Sequence, residues 1–341
     1  MSLRQIAKLA GVSAATVSMA LRNHPRIPAA TRRRVSALAR RLGYKPNARI
    51  AALMGQIRLS RQPDGGACLG VISFYDNARP WEGSLHLARI YEGMKRRADT
   101  LGYRLEPLWL RAPGMTTRRF RAILDARKID GLLCLGSPDI DENYPPEFDH
   151  YAVVTQGLSI RTRLHRVINH TYNDIWHVLD RVYDRGYRRP GLALGRYEDM
   201  RSGHANLSAY LGWCEHTLGA AAPMPVLRLD RVEEQPLLAW LKRHRPDVVV
   251  VAHVHAVLAE FAACLRRWKI RVPEDVGVAA VSQLLKGTPF AGFEENQPLM
   301  GAWAVELLVA RIMNRDFGIP RFPRIEMVEG QWVDALSLRP G

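Results

Sequence analysis

The first sixty residues carry twelve basic side chains (Arg4, Lys8, Arg22, Arg26, Arg32, Arg33, Arg34, Arg40, Arg41, Lys45, Arg49 and Arg58) and neither an Asp nor a Glu. The formal net charge of the 341-residue chain is +16, and only +4 of it belongs to everything after residue 60. A short segment stripped of carboxylates and dense in guanidinium groups is suited to face a polyanion. The remainder reads as a nearly balanced body long enough to bury a core of more than one domain.

Several classes fall away on the same grounds. No run approaches the roughly 18 apolar residues that a membrane span requires. The first twenty residues lack a basic stretch followed by an apolar run and a cleavage site, so export is not expected. Cys68, Cys134, Cys214 and Cys264 lie far apart, with no Cys-x-x-Cys pair. They read as buried thiols in a reducing compartment, and a cytoplasmic protein without membrane contact is expected.

The basic segment has the punctuation of three helices. Ser2 and Gln5 fit a capping box. Leu3, Ile6, Ala7 and Ala10 recur at helical spacing, and Gly11 can close that helix in the left-handed conformation. Ser13 caps a second helix from Ala14 to about Leu21. A third, from about Ala30 to Leu42, should bury Val35, Leu38 and Leu42 and stop at Gly43. Helix, glycine turn and second helix make a helix-turn-helix. Its second helix would enter the major groove of duplex DNA, which admits one α-helix. Ala14, Ala15 and Met19 are expected to face outward, offering methyl and thioether contacts to bases. Ser13, Thr16, Ser18 and Arg22 are expected to hold phosphates.

Three stretches, Ile6 to Ser18, Thr31-Arg32 and Gly43-Tyr44-Lys45-Pro46-Asn47-Ala48, closely resemble the LacI/GalR family of bacterial transcriptional regulators. The resemblance implies DNA contact at Thr31 and backbone contacts at Tyr44 and Asn47. It also implies a hinge beyond the Tyr-x-Pro-Asn motif that folds into a short helix on operator DNA. By position, Leu53 would be the leucine that each hinge inserts into the minor groove, with Ala51 beside it. An apolar wedge of that kind partly unstacks one base step and kinks the duplex.

After a polar linker over 61–66, apolar strands alternate with helix-length segments. Strands are predicted at Leu69–Phe74, Arg104–Leu110, Gly131–Leu135, Ala152–Thr155, Gly191–Leu194, Val226–Leu229, Val248–Ala252 and Val276–Val281. Helices near 85–101, 118–126, 174–185, 206–218, 237–243, 256–268 and 297–313 lie between or after them. Continuous apolar strands separated by helices argue for buried parallel sheets in an α/β fold. Looser family landmarks at Arg185–Gly191, Arg271–Val278 and Gln297–Gly301 imply two Rossmann-like subdomains, similar to periplasmic sugar-binding proteins, with an effector between them. The expected organisation is a helix-turn-helix domain over 1–45 and a hinge and linker over 46–66. A first subdomain then spans 67–160 plus about 293–320, and a second spans 161–292 plus about 321–337.

Ligands in open α/β sheets sit beyond the carboxyl ends of strands. That rule selects Phe74, Tyr75, Gln156, Ala252, His253, Val281, Ser282 and Gln283 as cleft candidates, with Trp81 and Trp109 available to stack on a sugar face. The chain departs from the family at anchoring positions. Ser282 and Gln156 stand where the family usually has Asp, His253-Val254 where it has Asn-Asp, and Ala209 where it has a helix arginine. The effector's identity therefore does not carry over from the resemblance.

The expectation is a regulator, commonly a repressor, that binds a palindromic operator as a homodimer under the control of a small ligand, carbohydrate by preference. One alternative is a ligand-independent regulator with a degenerate cleft. Two others are an α/β enzyme and a sugar-transport binding protein. Against an enzyme, the chain has no Gly-x-x-x-x-Gly-Lys-[Ser/Thr] loop, no Gly-x-Ser-x-Gly elbow and no His-Glu-x-x-His. His253 and His255 come nearest to a metal pair, but alternate residues at a strand end point to opposite faces and no third ligand is evident. Asp139, Asp141 and Glu142, flanked by prolines, read as a solvated loop. Neither metal nor cofactor is expected.

Overall fold

The computed structural model describes residues 3–21, 27–44, 67–219, 223–252, 255–281 and 290–341. It divides into two compact units, residues 1–63 and 64–341, each described by itself below. Helices α1 (Leu3–Ala10), α2 (Ala14–Leu21) and α3 (Ala29–Arg41) form the first. Ile6, Val17, Ala20 and Val35 make its fully or almost fully buried centre. Leu38 and Leu42 are only half-buried, and Ala39 takes the inner position on α3. Two helix ends are closed in the same way. Gly11 at φ +64° lets the Val12 amide reach back to Ala7 O at 3.1 Å, and Gly43 at φ +63° lets the Tyr44 amide reach Ala39 O at 3.0 Å. These backward bonds satisfy carbonyls that a helix end leaves without partners.

The second unit opens with β1 (Cys68–Ser73), α4 (Leu85–Thr100), β2 (Arg104–Trp109), α5 (Thr117–Ala126), β3 (Ile129–Cys134), β4 (Ala152–Gln156) and β5 (His165–Asn169). It continues through α6 (Thr171–Asp184), β6 (Pro190–Leu194), α7 (Arg196–Arg201), α8 (Ala205–Trp213), β7 (Leu227–Arg228), α9 (Glu234–His244), β8 (Val248–Ala252), α10 (His255–Arg267) and β9 (Gly277–Val281). It closes with β10 (Ala291–Glu294), α11 (Gln297–Asn314), β11 (Ile325–Val328) and β12 (Gln331–Val333).

Two sheets result, ordered β11-β5-β4-β3-β1-β2 and β12-β10-β9-β8-β6-β7. Every pairing is parallel except that of β12 with β10. Strands β8 (VVVVA) and β9 (GVAAV) are buried along their whole length, as expected of strands covered on both faces. Each sheet is the centre of its own α/β subdomain.

The sheets correct the expected division of the chain. β5 belongs to the first sheet, so the chain first crosses over after Asn169 rather than near 160. The segment 321–337 is shared: β11 joins the first sheet and β12 the second. β5 escaped the sequence reading because His165-Arg166 interrupts its apolar pattern. Arg166 is nonetheless only 7% exposed. Its guanidinium donates to the carbonyls of Leu164 (3.4 Å), Gly157 (3.4 Å), Ile160 (3.3 Å) and Thr162 (2.9 Å), so burial leaves its donors satisfied. The charge still lacks water, and burial pushes the Arg166 pKa down.

Helices α4 and α11 touch backbone to backbone. A Cβ on Gly301 would lie 2.0 Å from Ile90 O, and one on Gly93 would lie 1.9 Å from Pro298 O. Neither obstacle is a side chain that can swing away. Gly301→Ala is therefore expected to destabilise this unit by about 3 kcal/mol through overpacking. Urea denaturation checks it, and a midpoint equal to that of the wild type would contradict the close approach.

Candidate functional site

In the helical unit, Ser13 precedes α2 and its Oγ accepts from the Thr16 amide at 3.0 Å while lying 2.9 Å from Thr16 Oγ1. The cap places two hydroxyls side by side at the amino end of α2. Lys8, Arg33, Arg34, Arg40 and Arg41 are exposed. Arg34 also caps the end of α1, donating to Ala10 O at 3.1 Å. Thr31 lies half-buried in the first turn of α3. Ala15 and Ser18 fall on α2. Ala14 and Met19 correct an expectation: both are half-buried and pack against the three-helix core instead of pointing away from it. Eight residues make barely two turns, too few to keep every apolar position off a core this small. Tyr44 is likewise half-buried against that core. Arg22, Asn47, Ala51 and Leu53 lie outside the described residues.

In the second unit, residues at or just beyond the carboxyl ends of β1, β3, β4 and β5 meet those following β6, β8 and β9 around one cavity of about 900 Å³. Of the sequence candidates, Tyr75, Gln156, Ala252 and Val281 line it. Ser73 Oγ accepts from the Tyr75 amide at 3.2 Å and Trp109 Nε1 donates to Tyr75 O at 3.0 Å, so Tyr75 is held from both sides. Burial pushes its phenol up to about 12, chiefly by desolvation, and keeps it neutral.

Three aromatic candidates do not line the cavity, among them Trp109, which reaches the Tyr75 carbonyl. Phe74 is fully buried in the core of the first subdomain, because alternation along β1 turns it to the sheet's other face. Trp81 stacks on Tyr91 with ring centroids 3.9 Å apart and does not line the cavity. Ala209, the position of the family's helix arginine, is fully buried in the core of the second subdomain. His253, Ser282 and Gln283 lie outside the described residues.

The cavity also gathers residues the sequence reading missed. The β1–α4 connection and the start of α4 contribute Ser84 and His86, α7 contributes Tyr197, Glu198 and Arg201, and the crossovers contribute Asn169 and Glu295. His86 is held neutral, its pKa pushed down to about 3 by desolvation and by the Arg201 and Arg89 charges beside it. Tyr197 donates to Ser137 O at 3.0 Å, a bond that joins the two subdomains across the cleft. Asn169 Nδ2 donates to Glu295 Oε1 at 2.9 Å, tying two crossovers together. The strand-end rule reaches Asn169 and Glu295 only once β5 and β10 are recognised as strands.

The acidic loop is built into ion pairs: Arg111 meets Asp139 at 2.6 Å and also Glu142, and Arg161 meets Asp141 at 2.9 Å. Among the described residues no cluster of three His, Cys, Asp or Glu could hold a metal ion. No helix among them is long and apolar enough to cross a membrane.

Comparison with known proteins matches residues 2–47 to the family of bacterial regulatory proteins, lacI family, and residues 179–331 to the periplasmic binding protein-like domain. The HTH-type transcriptional repressor CytR of Escherichia coli (strain K12) is 25% identical over 287 residues, covering 81% of this chain and 78% of the relative. Among solved structures, a complex of the transcriptional regulator CelR with cellobiose superposes with a TM-score of 0.64 at 23% identity, covering 99% of both chains. The lac repressor dimer bound to operator and the anti-inducer ONPF gives 0.57 at 16% identity, covering 99% of this chain and 98% of that one. An acid-free helix-turn-helix ahead of two parallel-sheet subdomains that share a cleft, matched in this order, gives the chain a lacI-family DNA-binding domain followed by a periplasmic binding protein-like domain.

Proposed function

We propose that this DNA-binding transcriptional regulator acts as a repressor, occupying a roughly palindromic operator as a homodimer in the cytoplasm, with a small carbohydrate in the cleft setting its affinity. The observation that carries the reading is the conjunction of a lacI-family helix-turn-helix bearing no carboxylate with a 900 Å³ cavity at facing strand ends. The amino end of α2, with Ser13, Thr16 and Ser18, meets the DNA backbone, joined by Arg22, Thr31, Tyr44 and Asn47. Ala15 reaches the major groove, with Ala14 and Met19 at the rim of that contact, and Leu53, flanked by Ala51, wedges the minor groove at the operator centre. Tyr75, Gln156, His253, Ser282 and Gln283 belong to the effector wall. Cellobiose in CelR and an operator with an anti-inducer in the lac repressor are the precedents among similar folds. Ligand and operator are then linked reciprocally, each favouring one of two subdomain arrangements.

Fluorescence anisotropy with duplexes tiled across the gene's own promoter region tests the reading. A log–log salt slope of about −0.9 per neutralised phosphate is expected, so several contacts give a steep fall in affinity between low and moderate salt. A flat profile would remove the basic unit's role. A cleft ligand that leaves operator affinity unchanged would remove the effector's.

A further inference from the structure

The charges around the cleft narrow its ligand further, on the reading that the cleft is the effector site. Four arginines, Arg196, Arg201, Arg228 and Arg231, lie on α7, at the end of β7 and in the loop that follows it. Arg196 pairs with Asp230 at 3.2 Å, Arg228 with the buried Asp199 at 2.9 Å and Arg231 with Glu233 at 2.7 Å. Arg201 alone of the four lines the cavity and, among the described residues, has no carboxylate at ion-pair distance. Its guanidinium lies over the Tyr197 ring, 5.5 Å from the centroid, which holds it in place without neutralising it. The wall also holds two acids, Glu198 and Glu295, each with interactions of its own. Glu295 accepts from Asn169 and from Gln297 Nε2 (3.3 Å), and Glu198 has a partner of its own.

His86, beside Arg201, is neutral and adds no charge of its own, while Glu198 and Glu295 share the cavity wall. His86 faces both Arg201 and Arg89, and Arg89 is already matched by Glu294 at 2.5 Å. The sixteen-residue helix α4 begins at this end of the cavity behind the Ser84 cap, with no acidic residue in its first turn. Its amide dipoles add positive potential. A half-buried guanidinium with no carboxylate at ion-pair distance among the described residues favours a ligand that supplies the counter-charge.

We propose that the cleft takes a carbohydrate bearing an anionic group, a carboxylate or a phosphate, which docks on Arg201 at the amino end of α4 while Tyr75 covers an apolar sugar face. Arg201 would then stand in for the arginine that Ala209 replaces.

The test is a thermal-shift panel on the full chain in which each neutral hexose, pentose and disaccharide is paired with its uronate, aldonate and phosphate. Inorganic phosphate alone serves as the bare-anion control. Calorimetry of the best hits follows on wild type, Arg201→Gln and Arg201→Lys. Acidic members should dominate the hits and bind wild type about 10- to 100-fold more tightly than Arg201→Gln, with Arg201→Lys between them. Neutral sugars that bind best, and bind Arg201→Gln equally well, would overturn the anion assignment and leave the effector cleft standing. Inorganic phosphate shifting the melt as far as any sugar phosphate would also overturn it. If no member of either class binds, the effector-cleft reading falls as well.

Discussion

Asp174→Asn is expected to make this protein more stable at pH 8 than the wild type by several kcal/mol, and no more stable near pH 4. Asp174 sits fully buried in the first turn of α6, directly after the first crossover. Its carboxyl is pushed up to about 8, first by desolvation and then by the Glu295 charge, and Glu329 acts in the same direction. The Gly330 amide and Asn169 oppose the shift without offsetting it. The unfolded chain releases this proton near pH 4, whereas the folded chain keeps it until about pH 8. Folding thus takes up a proton across that interval, and stability falls as pH rises through it. A shift of this size is worth on the order of 3–5 kcal/mol, because each unit corresponds to about 1.4 kcal/mol. Asn cannot ionise, so that loss should vanish. Urea denaturation of both proteins at pH 5, 6.5 and 8 measures the difference, and parallel stability curves would show that Asp174 is ionised in the fold. Asp174, Asn169, Glu295 and Gly330 lie at the segments where the chain passes between the two sheets. The same titration therefore acts where the subdomains are joined.

The second large effect is expected at Arg166. Its guanidinium organises the loop 157–164 from beneath, and Gly157, Leu158 and Ser159 of that loop line the cleft. Arg166→Met keeps much of the apolar stem but deprives two buried carbonyls, of Ile160 and Leu164, and two half-buried ones, of Gly157 and Thr162, of this donor. A loss of about 3 kcal/mol is expected, given roughly 1–3 kcal/mol for each unsatisfied buried group and partial rescue by water. A cleft ligand should weaken in parallel while binding to non-specific DNA at low salt stays unchanged, since that rests on the separate helical unit. Calorimetric melting together with DNA binding checks this. An unchanged melting temperature would mean the loop holds its own shape.

How far the fold was legible follows from which strands keep a purely apolar face. Val248–Ala252 and Ala152–Gln156 are buried on both sides, so hydrophobicity alone marks them. β5 carries His165, Arg166 and Asn169, whose burial depends on acceptors distant in the sequence, and no local pattern signals it. β10, β11 and β12 have only three or four residues, too short for periodicity to stand out. The cleft divides in the same way. Tyr75 and Gln156 lie at the ends of recognisable strands, whereas His86, Tyr197 and Arg201 enter from the start of α4 and from α7, whose direction depends on how the subdomains face each other.

The amino-acid order by itself determined the helix-turn-helix, its capping serine and closing glycines, the charge segregation and the α/β class. Each follows from neighbours within a few residues or from simple composition. Tertiary structure alone decided that Phe74 and Trp81 leave the cleft, that Met19 leans on the core, and that Arg201 lines the cleft with no carboxylate at ion-pair distance among the described residues while Arg196, Arg228 and Arg231 are matched. Those outcomes depend on contacts between segments far apart in the chain, where the free energy of burial, not local preference, selects which side chain faces which.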